Sequence, residues 1–193
     1  MLVLAACCLS VLSCKQYDYV SPLPGTLEIR LASANSRAND LLQFRPGNTY
    51  QLTLFNLEAR QSGDIRLPIY SDLTAIRRNY NGDLFNCLDV GARDSTIILG
   101  RAYSPPLQYQ YLRMTIKVSP FVFRFNGYQF ESIPVEIPLS GDAIIDLRSD
   151  ALRIEEGRRT IVTVTMDLDS CLERRTESFL YHSRYYISSV QTF

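Results

Sequence analysis

The chain has 193 residues, with 20 basic and 20 acidic side chains that cancel, and a pI near 6.6. That balance gives no electrostatic case for nucleic acid or for an acidic membrane surface as a partner. The length fits one domain with a sizeable core, and 46% of the residues are hydrophobic. Nearly all the positive charge is arginine, Lys15 and Lys117 being the only lysines, so Arg–Glu and Arg–Tyr surface contacts are expected.

Met1 to Cys14 form an unbroken apolar and small run ending in Val11-Leu12-Ser13-Cys14, and the polar Lys15-Gln16-Tyr17-Asp18-Tyr19 follows at once. The run is too short for a bilayer, which needs roughly 20 residues, but suits the apolar region of a secretion signal. Its end resembles a bacterial lipobox, in which a small residue precedes a cysteine that is acylated and becomes the mature N-terminus. The resemblance implies a signal peptide over 1–13, an acylated Cys14 carrying palmitate-type chains, and a tether over 14–25 with Pro22, Pro24 and Gly25. The place of work is then the bacterial cell envelope, lipid-anchored in the outer membrane and facing the periplasm or the surface.

Leu4-Ala5-Ala6-Cys7 is formally a better lipobox, but it would leave a very short apolar region and an oily Cys8–Leu12 tail after the lipid. No Lys or Arg precedes Lys15, whereas a signal begins with a positive region, so the reading expects a start upstream of Met1 or an atypical signal. A cleaved signal without lipid, or a buried first strand, is the alternative. With Cys7 and Cys8 removed and Cys14 acylated, Cys87 and Cys171 remain. Two cysteines in an oxidising compartment invite a disulfide, which would stabilise the fold by about 4–5 kcal/mol on the chain-entropy model. Two separate buried thiols are the other reading.

Period-two alternation then recurs to the end of the chain. Thr26–Leu31 sets Leu27, Ile29 and Leu31 against Thr26, Glu28 and Arg30. A Pro46-Gly47-Asn48 turn leads into a long strand over Thr49–Ala59 with Tyr50, Leu52 and Leu54 on one face, and Ser62-Gly63-Asp64 turns the chain into Ile65–Tyr70. Leu73–Tyr80 and Asp83–Cys87 around Asn81-Gly82 read as a hairpin, with a helical turn over Leu73–Arg78 as the alternative, and Ser95–Leu99 is a short apolar strand. Gln110–Ser119 places Leu112, Met114, Ile116 and Val118 opposite Tyr111, Arg113, Thr115 and Lys117.

Phe121–Phe125 and Tyr128–Ser132 flank Asn126-Gly127, which predicts a type I′ hairpin because both central residues need positive φ. Strands follow at Ile144–Leu147, Leu152–Ile154, Thr160–Leu168, Phe179–Tyr181 and Tyr185–Val190, with a helical turn over Ser170–Arg175 capped by Asp169. About ten short strands and at most one or two helical turns predict an all-β, antiparallel sandwich over 26–193, of immunoglobulin-like or prealbumin-like type.

Gly25–Leu31, Tyr50–Arg60, Leu99-Gly100, Leu107–Val118, Phe125-Asn126-Gly127, Pro134–Leu139 and Ile154–Ser170, in that order, resemble a domain-of-unknown-function family of bacterial lipoproteins. The best-matched piece is Ile154-Glu155-Glu156-Gly157 through Asp167-Leu168-Asp169-Ser170. The resemblance implies a prealbumin-like or carbohydrate-binding-like sandwich and no established function. The chain departs from that pattern at Tyr181–Tyr185 and carries an insert around Leu73–Val90.

No nucleophile elbow, zinc-binding helix or phosphate loop is present, and His182 is the only histidine, so the expectation is a non-enzymatic protein without metal or cofactor. A hydrolase would need His182 to meet a serine and a carboxylate. Asp167 and Asp169, with Asp146, Asp150, Glu155 and Glu156, could form a calcium site but lack the loop spacing of one. Tyr109, Tyr111 and Arg113 read as an outward aromatic row able to stack a sugar ring or clasp a peptide. The function expected is a binding or adhesion module for a glycan or an envelope protein. The alternative is a structural or assembly subunit that pairs through a sheet edge.

Overall fold

The computed structural model describes residues 21–34, 47–71, 83–88, 96–138 and 142–193. The lipobox with Cys14, and the Leu73–Tyr80 stretch, lie outside the described residues. Alternating apolar positions become strands throughout: β1 (Gly25–Ala34), β2 (Thr49–Arg60), β3 (Arg66–Ser71), β4 (Asp83–Asn86), β5 (Ile97–Ser104), β6 (Leu107–Gln108) and β7 (Tyr111–Phe125). The second half gives β8 (Phe130–Glu136), β9 (Asp142–Arg148), β10 (Arg153–Ile154), β11 (Arg159–Asp167), the short helix α1 (Leu168–Cys171), β12 (Leu172–Arg174), β13 (Phe179–Tyr181) and β14 (Tyr185–Thr192).

One sheet has the order β14-β11-β1-β5. The larger one runs β12-β13-β8-β7-β2-β3, with β4 also on β2 and β9 also on β7, and β10 pairs with β6 in a small ribbon. The result is an all-β, sandwich-like architecture and not a closed barrel. Its pairing is mixed where a purely antiparallel sandwich was expected. β1 runs parallel to β11 from Thr26↔Arg159 to Ala34↔Asp167, and β13 runs parallel to β8. No tight turn joins either pair, so nothing local dictates direction; antiparallel order is enforced only where a short hairpin connects the strands.

The core forms between the inward faces. Leu27, Ile29 and Leu31 of β1 and Val162, Val164 and Met166 of β11 meet Tyr50, Leu52 and Leu54 of β2 and Leu112, Met114, Ile116 and Val118 of β7. A register shift between Leu54 and Asn56 changes the phase of β2, so Leu57 and Ala59 complete its buried face. At one lateral edge β5 crosses against β3, and a Cβ at Gly100 would sit 2.9 Å from Ile69 Cγ2 and 3.1 Å from the Ile69 carbonyl oxygen. Only glycine allows that approach.

Two local expectations are corrected. The β7–β8 hairpin exists, but Phe125 pairs with Phe130, so its loop has four residues, Asn126–Gln129. Asn126 Oδ1 accepts from the Tyr128 and Gln129 amides at 3.0 Å each, and Gly127 has φ 98°, so an Asx turn replaces the two-residue type I′ form. The helix after β11 starts earlier than expected, and its cap is Asp167, which accepts from the Ser170 amide at 3.1 Å and the Ser170 hydroxyl at 2.8 Å.

Register fixes the two ends of the sandwich. Gly25 pairs with Ser104, the Leu23 amide donates to Glu156, and the Ser104 and Tyr109 hydroxyls are 2.9 Å apart. The Gln110 amide donates to the Arg60 carbonyl. The start of β1 therefore lies at the same end as the start of β7. The Asn126–Gln129 loop lies at the other end of β7, and this strand of 15 residues spans about 50 Å at ~3.3 Å per residue.

On the outer face of the smaller sheet, Glu28 is fully buried although it points away from the core. Arg30, Arg101 and Arg159 cover it: Arg30 Nε is 2.7 Å from Oε1, Arg159 Nη2 is 2.5 Å from Oε2, and Arg101 Nε also donates to Oε2. Burial works against ionisation, but the hydrogen bonds from Arg159, Arg30 and Arg101 outweigh it and hold the carboxyl at about 2, below its ordinary 4.5.

Candidate functional site

The expected row of Tyr109, Tyr111 and Arg113 does not form as one surface. Tyr109 is 2% exposed and buried beside Ser104. The reason lies in the backbone: Tyr109 and Gln110 belong to a corner between β6 and β7, where their amides donate to the Leu152 and Arg60 carbonyls, so β alternation does not extend back to residue 109. Tyr111 and Arg113 do face outward together. Arg113 holds Asp146 through two bonds of 2.6 Å and stacks 5.8 Å from the Tyr111 ring centre. Its guanidinium is thus committed to Asp146, and the hydrogen bond from Arg113, working against burial, holds the Asp146 carboxyl below its usual range.

Further along β7 the character of this face changes. Leu112, Met114, Ile116, Val118 and Val122 are buried, Pro120 is exposed where the register against β2 shifts, and the outward positions switch from Tyr111, Arg113, Thr115 and Lys117 to Phe121, Phe123 and Phe125. Across the hairpin, Phe130 opposes Phe125 and Pro134 opposes Phe121. The Phe125 and Phe130 rings lie 5.1 Å apart at 43°, and Phe121 and Phe123 lie 6.1 Å apart at 46°. Phe130 remains 66% exposed and Tyr128 at the tip 97%. Strands at a sheet surface rarely leave so many aromatic rings in water without a use. The sequence carried the signal, phenylalanines at 121, 123 and 125 on either side of the buried Val122.

Cys87 and Cys171 are buried, and both thiols are free. They interact electrostatically with each other and with the buried hydroxyls of Tyr50, Tyr181 and Tyr185, which places them in one region of the core. Burial pushes both thiols up to about 12. The Cys171 thiol donates to the Arg184 carbonyl at 3.3 Å, the Tyr181 and Tyr185 hydroxyls are 3.2 Å apart, and the Tyr50 hydroxyl has no partner among the described residues.

An open cleft of about 710 Å³ near α1 is lined by Asp167, Asp169, Ser170, Glu173, His182 and Arg184, among others. His182 Nε2 is 3.1 Å from Glu173, while the Ser170 hydroxyl donates to Asp167 and the Ser178 hydroxyl to Glu136. The histidine therefore meets a carboxylate, and these serines spend their protons elsewhere. Asp167 is occupied by the helix cap, and among the described residues no group of three or more His, Cys, Asp or Glu is placed to hold a metal ion. Among the same residues, no helix is long and apolar enough to cross a membrane.

Compared with known proteins, the chain matches no family model, no curated protein and no solved structure.

Proposed function

We propose that this protein is a non-enzymatic binding module of the bacterial cell envelope, tethered through an acylated Cys14, that holds a protein partner on the aromatic half of the β7–β8 hairpin. The observation that carries the reading is the exposed Phe121–Phe130 face, at the end of the sandwich remote from where the N-terminal segment joins β1. A tether at one end and an apolar patch at the other suit a protein that presents its patch away from its anchor.

The choice of a protein partner rests on ring geometry. A pyranose stacks on a flat platform flanked by fixed polar groups, whereas the rings here are inclined to one another by more than 40°. Inclined aromatic side chains around a proline make a relief that receives aliphatic side chains, the composition found at the centre of protein interfaces. Anchoring is supported by the sequence of Met1–Cys14 and by the energy of a lipid, about 0.8 kcal/mol for each buried methylene.

The test pairs the full chain with a Tyr128→Ser/Phe130→Ser variant in cells, crosslinking from the hairpin and comparing captured partners, with a glycan array as the second arm. A partner captured by the parent and lost with the variant supports the reading, given unchanged circular dichroism. Capture that survives the substitution, or glycan binding that depends on the two rings, overturns it. Palmitate labelling that persists in Cys14→Ala would remove the anchor from the proposal and leave the hairpin untouched.

A further inference from the structure

The cluster around Glu28 carries more positive charge than its own carboxylate can use. One carboxylate neutralises one of three guanidinium groups, leaving two positive charges on the outer face of the smaller sheet. Among the described residues, none of the three arginines pairs with a carboxylate other than Glu28. They are also reachable, with side-chain exposures of 31% for Arg30, 52% for Arg101 and 44% for Arg159.

The atoms used matter. Arg30 and Arg101 both grip Glu28 through Nε, so among the described residues their terminal Nη groups, two on each side chain, are left without a recorded partner. Arg159 uses Nη2 and keeps Nη1 and Nε. A guanidinium is costly to immobilise because its stem loses rotamer freedom, and here Glu28 has already fixed three of them. The strand register brings them together: Arg101 lies across from Glu28 on β5, Arg159 across from Thr26 on β11, and Arg30 two residues along β1. Tyr103, 75% exposed, lies two residues beyond Arg101 on the same face and opposite Thr26, and gives the patch an aromatic wall.

We infer that Arg30, Arg101 and Arg159, preset by the buried Glu28, form a binding site for an oxyanion of the phosphate type. Two uncompensated charges match a dianion, and forked N–H donors match its oxygens. The proposal is separate from the hairpin reading: it concerns the opposite sheet and holds whether or not Cys14 is acylated. The phosphate can belong to a soluble compound or to a lipid headgroup. The site lies toward the end where the N-terminal segment joins β1, so both sources are chemically reasonable.

The experiment uses the full chain and an Arg30→Gln/Arg101→Gln variant, which leaves Arg159 to pair with Glu28. Inorganic phosphate is titrated while amide and arginine Nε resonances are followed by NMR. In parallel, co-sedimentation compares phosphatidylglycerol with phosphatidylcholine vesicles, the apolar first fourteen residues being common to both proteins. Saturable shifts at Arg101 and Arg159 in the parent, with the affinity read at Arg159 and the neighbouring amides weakened tenfold or more in the variant, support the site. A preference for anionic vesicles that phosphate competes away and the variant lacks assigns the headgroup as the source. Phosphate binding without that preference assigns a soluble one. No saturable shift in the parent, or equal binding by the variant, overturns the inference. Arg101→Lys, which keeps the charge and loses the fork, gives an intermediate affinity and covers the case in which the double variant does not fold.

Discussion

Replacing Glu28 by Gln is the sharpest perturbation this fold offers. The carboxyl is held at about 2 in the folded chain against an ordinary 4.5, and each unit corresponds to about 1.36 kcal/mol, so its ionisation contributes at most ~3 kcal/mol. The arginines are up to half exposed, so salt screening brings the measured value below that bound. The sign follows from linkage: the folded value is the lower one, so the contribution is full above about pH 5 and is lost as the pH falls toward 2. Gln imitates the protonated form and also leaves three guanidinium groups facing one another. Urea denaturation at pH 7 is expected to show the variant about 2–3 kcal/mol less stable. Between pH 5 and pH 2 the gap between parent and variant should close by most of that amount, and 1 M salt should narrow it at pH 7. A gap that does not change with pH, or a variant as stable as the parent at pH 7, would refute the account of Glu28.

Other parts of the molecule give quicker checks. Asp146→Asn removes the partner of Arg113 from an exposed pair, and denaturation at pH 7 should register less than about 1 kcal/mol, well below the Glu28 effect. Gly100→Ala drives a methyl into Ile69 and its carbonyl, so a loss of about 1–3 kcal/mol and a drop of several degrees in Tm are expected; an unchanged Tm would mean that β3 and β5 do not approach as described. In a background with Cys7, Cys8 and Cys14 replaced by Ser, Cys87 and Cys171 should be silent toward a disulfide reagent at pH 8 in the native state, because burial pushes both up to about 12. Both should react in 6 M guanidinium, and the finding of no thiol there without reductant would show a bridge between them.

The strands were legible because each buries one face, and a period of two is visible in the residues themselves. Leu112, Met114, Ile116 and Val118 read as core and are core. What failed depended on where a strand stops or what lies beside it. Tyr109 looked like part of β7 because alternation continues in the letters, yet the chain turns a corner there and the hydroxyl packs against Ser104. The parallel β1–β11 pair had no local mark, since no turn connects the two strands. Glu28 read as one polar residue of an outward face; its burial is made by Arg101 and Arg159, which are 73 and 131 residues away in sequence. The phenylalanine run was legible as a hairpin, and its exposure became clear only once Val122 was known to return to the core beyond the irregularity at Pro120.

The two outer faces now differ in kind, and their separation constrains how the protein can work. The arginine cluster belongs to the smaller sheet near the start of β1, and the aromatic patch belongs to the larger sheet at the far end of β7, a strand about 50 Å long. A small ligand cannot bridge that distance, so coupling would have to pass through the core, which is close-packed but has no second arrangement in view. Substitutions at the two places should therefore be additive. Arg30→Gln/Arg101→Gln should leave capture by the hairpin unchanged, and Tyr128→Ser/Phe130→Ser should leave the phosphate titration unchanged. If either variant alters the other reading by more than threefold, the two faces are in contact through a partner or a second copy of the chain, and the placement of the N-terminal segment and the hairpin at opposite ends would no longer describe the working assembly.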